Sequence, residues 1–197
     1  MRKLLALVLL LCALAGAAAA DDFGVSYIDF QTRYAENVHF INENTGRFLL
    51  PLDFSGEFNN EGDRIYVITS GALSVEVKLD DLAEQIAYCH ISLTAPAGMS
   101  YGDSKHNDFT VSGYHSYALL MAMSKAEKAF DRYKLVEEVN AGIAENAGLY
   151  ETQVGDYRLK CLSANGTATM RFENELLMGT GLEIEEDPAD VEITVHE

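Results

Sequence analysis

Lysine and arginine are scarce in this chain. Its 197 residues carry 14 of them against 31 aspartates and glutamates, a formal net charge of −17. Such a balance repels nucleic acid and anionic membrane surfaces and favours solubility. It also suits a surface for cations or basic partners. Cysteine is nearly absent, at three residues. Long apolar runs are confined to one, Leu4 to Ala15. No second run is long enough to span a bilayer. Also missing are a Gly-rich phosphate loop, a basic patch with interleaved aromatics, a Gly-x-Ser-x-Gly elbow, a Ser-x-x-Lys pair and a His-Glu-x-x-His helix. None of the five histidines pairs with another at i, i+4, so metal-helix spacing is absent too. No cofactor is implied.

What is present begins with a leader. Met1-Arg2-Lys3 is basic, the apolar run follows, and Ala17 to Ala20 offers small residues for cleavage. Residues 1–20 read as a bacterial-type secretory signal peptide. Leu11 before Cys12 argues against a lipid anchor. Removal of Arg2 and Lys3 leaves twelve cations against 31 acids, a net charge of −19. The expected protein is secreted, periplasmic or held in the cell envelope, without membrane insertion once the signal is gone. Two cysteines survive, Cys89 and Cys161. An oxidising compartment permits one disulfide between them; two buried free thiols are the alternative.

Residues 21–181 read as a single α+β domain, large enough for one core. Ser26 is placed to cap a helix, with Asp29 three positions on. Tyr27, Phe30, Tyr34, Val38 and Ile41 then recur at helical spacing, and Gly46 stands at the end. Arg47 to Phe54 is strand-like but holds Pro51, which predicts an edge or irregular strand. From Gly62-Asp63 to Leu79 the pattern is a hairpin, in which Val75, Val77 and Leu79 alternate with Glu76 and Lys78. Gln85 to Ala95 alternates again. Ala87, Cys89, Ile91 and Leu93 fall on one face; Tyr88, His90, Ser92 and Thr94 fall on the other.

Pro96 to Asp108 has no periodicity and reads as a loop. Tyr114 to about Asn146 reads as helix, either one or two with a bend near residue 129. One stripe is Tyr114, Tyr117, Ala118 and Met121. The next is Phe130, Tyr133, Leu135 or Val136, Val139 and Ile143. Gly155-Asp156 then opens a second hairpin that turns at Asn165-Gly166, the dipeptide favoured in tight hairpins. With Thr167 it also fits a glycosylation sequon. The two Gly-Asp hairpins suggest an imperfect tandem repeat of a helix-plus-hairpin unit. In that alignment Tyr66 and Ile68 match Leu159 and Cys161. Residues 182–197 form an acidic segment in which Val191, Ile193 and Val195 alternate as in an edge strand. The expected architecture is an antiparallel sheet with about three helices packed on it.

Chemistry is harder to find. Gly102-Asp103-Ser104 is the tripeptide of Gly-Asp-Ser esterases. Such enzymes complete it with Asp-x-x-His late in the chain, but Ile193 stands three residues before His196. Cys89 and His90 are strand neighbours and point to opposite faces, so they cannot act as nucleophile and base. Asn42-x-Asn44-x-Gly46 is oxygen-rich but lacks a calcium loop's spacing. Asp103, His106, Asp108 and His115 cluster in or beside the long loop. Among ten tyrosines, Tyr88, Tyr101 and Tyr114 are the freest of the helix stripes, and tyrosine suits binding surfaces. These seven residues are the candidate site. The leading expectation is a non-catalytic binding module for an extracellular protein or small ligand, using an exposed sheet face or the loop. The alternative is an extracytoplasmic hydrolase with a site between His106 and His115.

The leader reading is open to direct test. N-terminal sequencing of the exported protein should return Asp21 as the first residue. A start upstream of Ala18, or lipid on Cys12, would overturn it.

Overall fold

The computed structural model describes residues 24–54, 58–60, 63–80, 84–95 and 107–178, with side chains at 58–60, 63 and 107–109 left aside. Its first element is set by its own caps. Ser26 Oγ accepts the Asp29 N–H at 3.1 Å, which satisfies one of the free donors at the start of α1 (Tyr27–Thr45). At the other end Gly46 turns left-handed, with φ of 66°, and returns its N–H to Asn42 O. Only a residue without Cβ enters that conformation at no steric cost. Between the caps Phe30, Tyr34, Val38 and Ile41 are buried, as their spacing predicts.

Seven strands follow in two groups. These are β1 (Phe58–Asn60), β2 (Asp63–Ser70), β3 (Leu73–Leu79) and β4 (Ile86–Thr94), then β5 (Leu149–Val154), β6 (Tyr157–Ala164) and β7 (Thr167–Glu173). All pair antiparallel, in the order β1-β2-β3-β4-β7-β6-β5. Two meanders therefore meet at the β4–β7 seam. The Asn165-Gly166 turn joins β6 to β7, both residues at positive φ (52° and 77°), as a two-residue hairpin requires. The fold is α+β, with three helices among the described residues.

Two helices separate the strand groups: α2 (Asn107–Ala122) and α3 (Ala129–Glu145). Helix α2 begins seven residues before the expected Tyr114, because residues 107–113 are helical without an apolar stripe of their own. The helical run is broken over residues 123–128, which settles the one-or-two question in favour of two. Helix α2 lies between α1 and α3 and packs on β3 and β4; α3 packs on β5 and β6. From Ala118 to Met123 every residue is buried, so that stretch is apolar on all sides rather than on one stripe. Ser112 fixes the β2–β3 turn, with its Oγ donating to Ser70 O and accepting from the Ala72 N–H. One expected core position is corrected. Phe130 is 65% exposed, and Arg132, two residues on in the same helix and outside the expected stripe, is buried against α1.

All helices pack on one face of the sheet. That face carries Val75, Val77, Cys89, Ile91, Leu93, Leu159, Cys161, Met170 and Phe172, all buried. A register shift at Lys78/Leu79 lets Ile86 and Ala87 both turn inward. Arg47 to Phe54 joins no ladder. It runs extended beside α1, where Asn42 gives Leu49 the partners a strand would: its amide Nδ2 donates to Leu49 O and its Oδ1 accepts Leu49 N–H. Both Asn42 oxygens are thus occupied, Oδ1 by the Leu49 N–H and the carbonyl by the capping Gly46 N–H, while Asn44 Nδ2 donates back to Phe40 O.

Phe30 is fully buried and meets Phe54 edge to face, with ring centroids 5.7 Å apart. Phe30→Ala should destabilise the protein by about 3–5 kcal/mol, the usual cost of emptying a large aromatic site. An unchanged denaturant midpoint would overturn this reading of α1.

Candidate functional site

The helices leave the second face of the sheet uncovered by any described element. Period-two alternation puts on it every residue that is not in the apolar layer. Ladder register arranges these residues in rows across the strands. The central row runs Val67, Glu76, His90, Arg171, Lys160, Glu151 from β2 to β5. On one side lies Ile65, Lys78, Tyr88, Glu173, Arg158, Gln153. On the other lies Thr69, Ser74, Ser92, Thr169, Leu162, Leu149. Most are half-buried by their long neighbours; none of these eighteen belongs to the buried core.

This set of eighteen is far less acidic than the chain as a whole. It holds Lys78, Arg158, Lys160 and Arg171 against Glu76, Glu151 and Glu173, where the whole chain has 14 cations to 31 acids. Arg158 donates to Glu173 Oε2 at 3.0 Å. Lys160 and Arg171 stand directly opposite each other, and among the described residues neither is in an ion pair. The Tyr88 and His90 rings lie 6.2 Å apart on β4, at the middle of the sheet. Burial pushes the Tyr88 phenol up to about 12, against the opposing pull of the Arg171 charge. Tyr88 therefore keeps its phenol proton.

Of the seven candidate residues, Tyr101, Asp103 and His106 lie outside the described residues. Asp108 belongs to α2, and its side chain is also outside them. Tyr88 is on the open face. Tyr114 and His115 are on α2, across the sheet from Tyr88, so these three do not form one site. Tyr114 is half-buried under the Arg47 guanidinium, 5.0 Å from its ring centre. His115 is buried at 4% exposure. Tyr34 Oη accepts the Leu52 N–H at 3.1 Å and shares a 2.8 Å hydrogen bond with His115 Nδ1. His115 is a core group that fixes Tyr34 and, through it, the strap at Leu52. Arg171 and Lys160 were not among the candidates. Alternation alone puts them on the polar side of their strands; their adjacency needs the order β7-β6 and the register.

The cysteines take the second of the two expected outcomes. Both are free and buried, and both face the apolar layer. Strand β7 lies between their strands: Cys89 pairs with Phe172, and Cys161 with Met170. Two ladder spacings separate them by roughly 9.5 Å or more, beyond the range of about 4.4–6.8 Å that a disulfide spans. Burial raises both thiols, Cys161 to about 12 and Cys89 further, which keeps them unreactive. Among the described residues, no three His, Cys, Asp or Glu side chains converge as metal ligands would. No helix there is long and apolar enough to cross a membrane. No protein-family model, curated protein or solved structure matches this chain.

Burial holds His115 below the usual histidine value of 6.5. The unfolded chain then takes up a proton that the folded chain refuses, so stability falls as pH drops below about 6.5. His115→Gln keeps an acceptor for Tyr34 but does not titrate. Its urea midpoint should change less than the wild type's between pH 7 and pH 5. Equal slopes would show that His115 is not the group responsible.

Proposed function

We propose that this protein is an extracytoplasmic binding module and that its open sheet face makes the contact. The observation that carries this reading is the sorting of chemistry between the two faces. All three helices and nearly all the buried apolar side chains of the sheet lie on one side. The other side gathers four of the chain's scarce cations around Tyr88 and His90. An antiparallel sheet tolerates one wet face, so openness alone is weak support. The near-even charge balance of these eighteen positions, in a chain this acidic, is the stronger feature. A half-buried tyrosine at the centre adds a large, rigid contact surface. The leader at residues 1–20 supports the location.

A hydrolase would need titratable groups converging where substrate can reach them. His115, the described histidine of that alternative, is instead engaged with Tyr34 inside the core.

A thermal-shift screen of the mature protein against sugars, peptides, nucleosides and organic acids would supply ligands. Amide NMR mapping would then place them. Perturbed residues should fall in 76–78, 88–92, 158–162 and 169–173, and Tyr88→Ala should weaken binding at least tenfold. Perturbation confined to α1 and α3, or turnover of an ester or peptide, would overturn the proposal.

A further inference from the structure

We infer that the open face holds a compact oxyanion, a carboxylate or phosphate carried by a small molecule, between Arg171 and Lys160. This rests on the binding reading of that face and names its ligand class. The starting point is an unfavourable pairing. Residues directly opposite on antiparallel strands have Cβ atoms about 4.5–5.5 Å apart, and like charges there are destabilising. Arg171 and Lys160 are such a pair. Acids are abundant in this chain, yet in this row they stand only outside the cationic pair. Glu76 lies beyond His90 on one side, and Glu151 stands directly opposite Lys160 on the other. Glu151 faces Lys160 alone; Arg171 has His90 and Lys160 across from it and no acid opposite in the row.

An anion seated between the two cations relieves their repulsion. The Arg171 guanidinium offers a planar pair of donors that matches a carboxylate or phosphate edge, and Lys160 adds a mobile point charge. In the adjoining row Ser92 and Thr169 face each other, one step diagonally from Arg171 and Lys160 respectively. Their hydroxyls supply neutral donors to the remaining oxygens.

The same surroundings limit the ligand's size. Glu76 and Glu151 flank the centre of the row, and Glu173 stands in the adjoining row, two residues from Arg171 on β7 and diagonal to Lys160. A single oxyanion seated between Arg171 and Lys160 toward the Ser92–Thr169 row lies on the side away from Glu173. A long acidic chain laid along the face would meet these carboxylates as well. The charge pattern thus favours a small molecule with one compact anionic group over an acidic polypeptide.

The test uses the mature protein in 0.15 M NaCl, titrated with inorganic phosphate, acetate and a hexaglutamate peptide while amide shifts are followed. Saturable shifts at residues 92, 160, 169 and 171 with phosphate or acetate are expected, and which of the two binds more tightly identifies the group. Arg171→Gln and Lys160→Gln should each weaken that binding at least tenfold. Lys134→Gln, on α3, should leave it unchanged. Binding of the peptide alone, no saturable binding of any probe, or full affinity in the Arg171→Gln, Lys160→Gln double variant would overturn the inference. A neutral ligand mapping to β4 and β7 without anion binding would sink this inference and leave the binding face standing. Anion binding that mapped to the helices would sink both.

Discussion

A buried guanidinium joins the three helices. Arg132, on α3, is 2% exposed, and its donors go four ways. Nε donates to Asn37 Oδ1 and NH2 to Glu36 Oε2, both on α1, while NH1 reaches Ala126 O and Glu127 O in the segment between α2 and α3. Asn37 is fully buried too and passes the connection on, donating to Ala118 O of α2. Burying a charge is costly unless it is paired and hydrogen-bonded. Here the cost is met by a half-exposed carboxylate and three neutral oxygens. Lysine has neither the planar fork nor enough donors for this arrangement. Removal of one partner from such a node typically costs about 3–5 kcal/mol. The carbonyls of residues 126 and 127 can turn toward Arg132 because the helix is broken there.

The order of the helix layer decides what the sheet can do. With α1 tied to both α2 and α3, the layer covers one sheet face and only one. Its periphery is fastened by tyrosines that pack and hydrogen-bond together. Tyr157 accepts the Val25 N–H and donates to Ile86 O, which holds the start of the described chain beside β4. Tyr34 does the same for the strap at Leu52. Each places its ring in the core and its hydroxyl on a backbone group that lacks a ladder partner. Side chains thereby complete the hydrogen bonding of segments that belong to neither helix nor sheet.

Much of this was legible in the sequence where a single local rule decides. Ser26 and Gly46 mark the ends of α1 because capping is chemistry within a few residues. The faces of β3, β4 and β6 follow from alternation. Legibility fails where a residue's role depends on a distant partner. Arg132 reads as an ordinary surface cation until α1 lies against it, and Phe130 reads as core for the same reason. Nothing local says that Asn42 will serve as a strand for Leu49. The match of the two Gly-Asp hairpins shows the limit well. It sets β2–β3 against β6–β7. The sheet order is instead symmetric about the β4–β7 seam, with β3 opposite β6 and β2 opposite β5. Sequence likeness and sheet position therefore differ by one strand. For the same reason Lys160 and Arg171 are two isolated cations in the sequence and neighbours in the sheet.

Their adjacency is fixed by the same register that forms the core. On β6 and β7 the rung Leu159–Phe172 is buried, the next rung Lys160–Arg171 is wet, and the following rung Cys161–Met170 is buried again. A slip of one residue would turn both cations into the apolar layer and put Phe172 in water. Both strands are central, paired on either side, so no edge freedom allows such a slip to be absorbed. The spacing of the cationic pair therefore does not depend on a loop or a flexible tip. It is set to within a side-chain rotamer by the burial of Leu159, Cys161, Met170 and Phe172. Groups held on paired strands are better placed than groups on loops to meet a ligand without a change of backbone. The repulsion between the cations is borne by the folded state at all times, and an apolar layer of this extent can hold it in place.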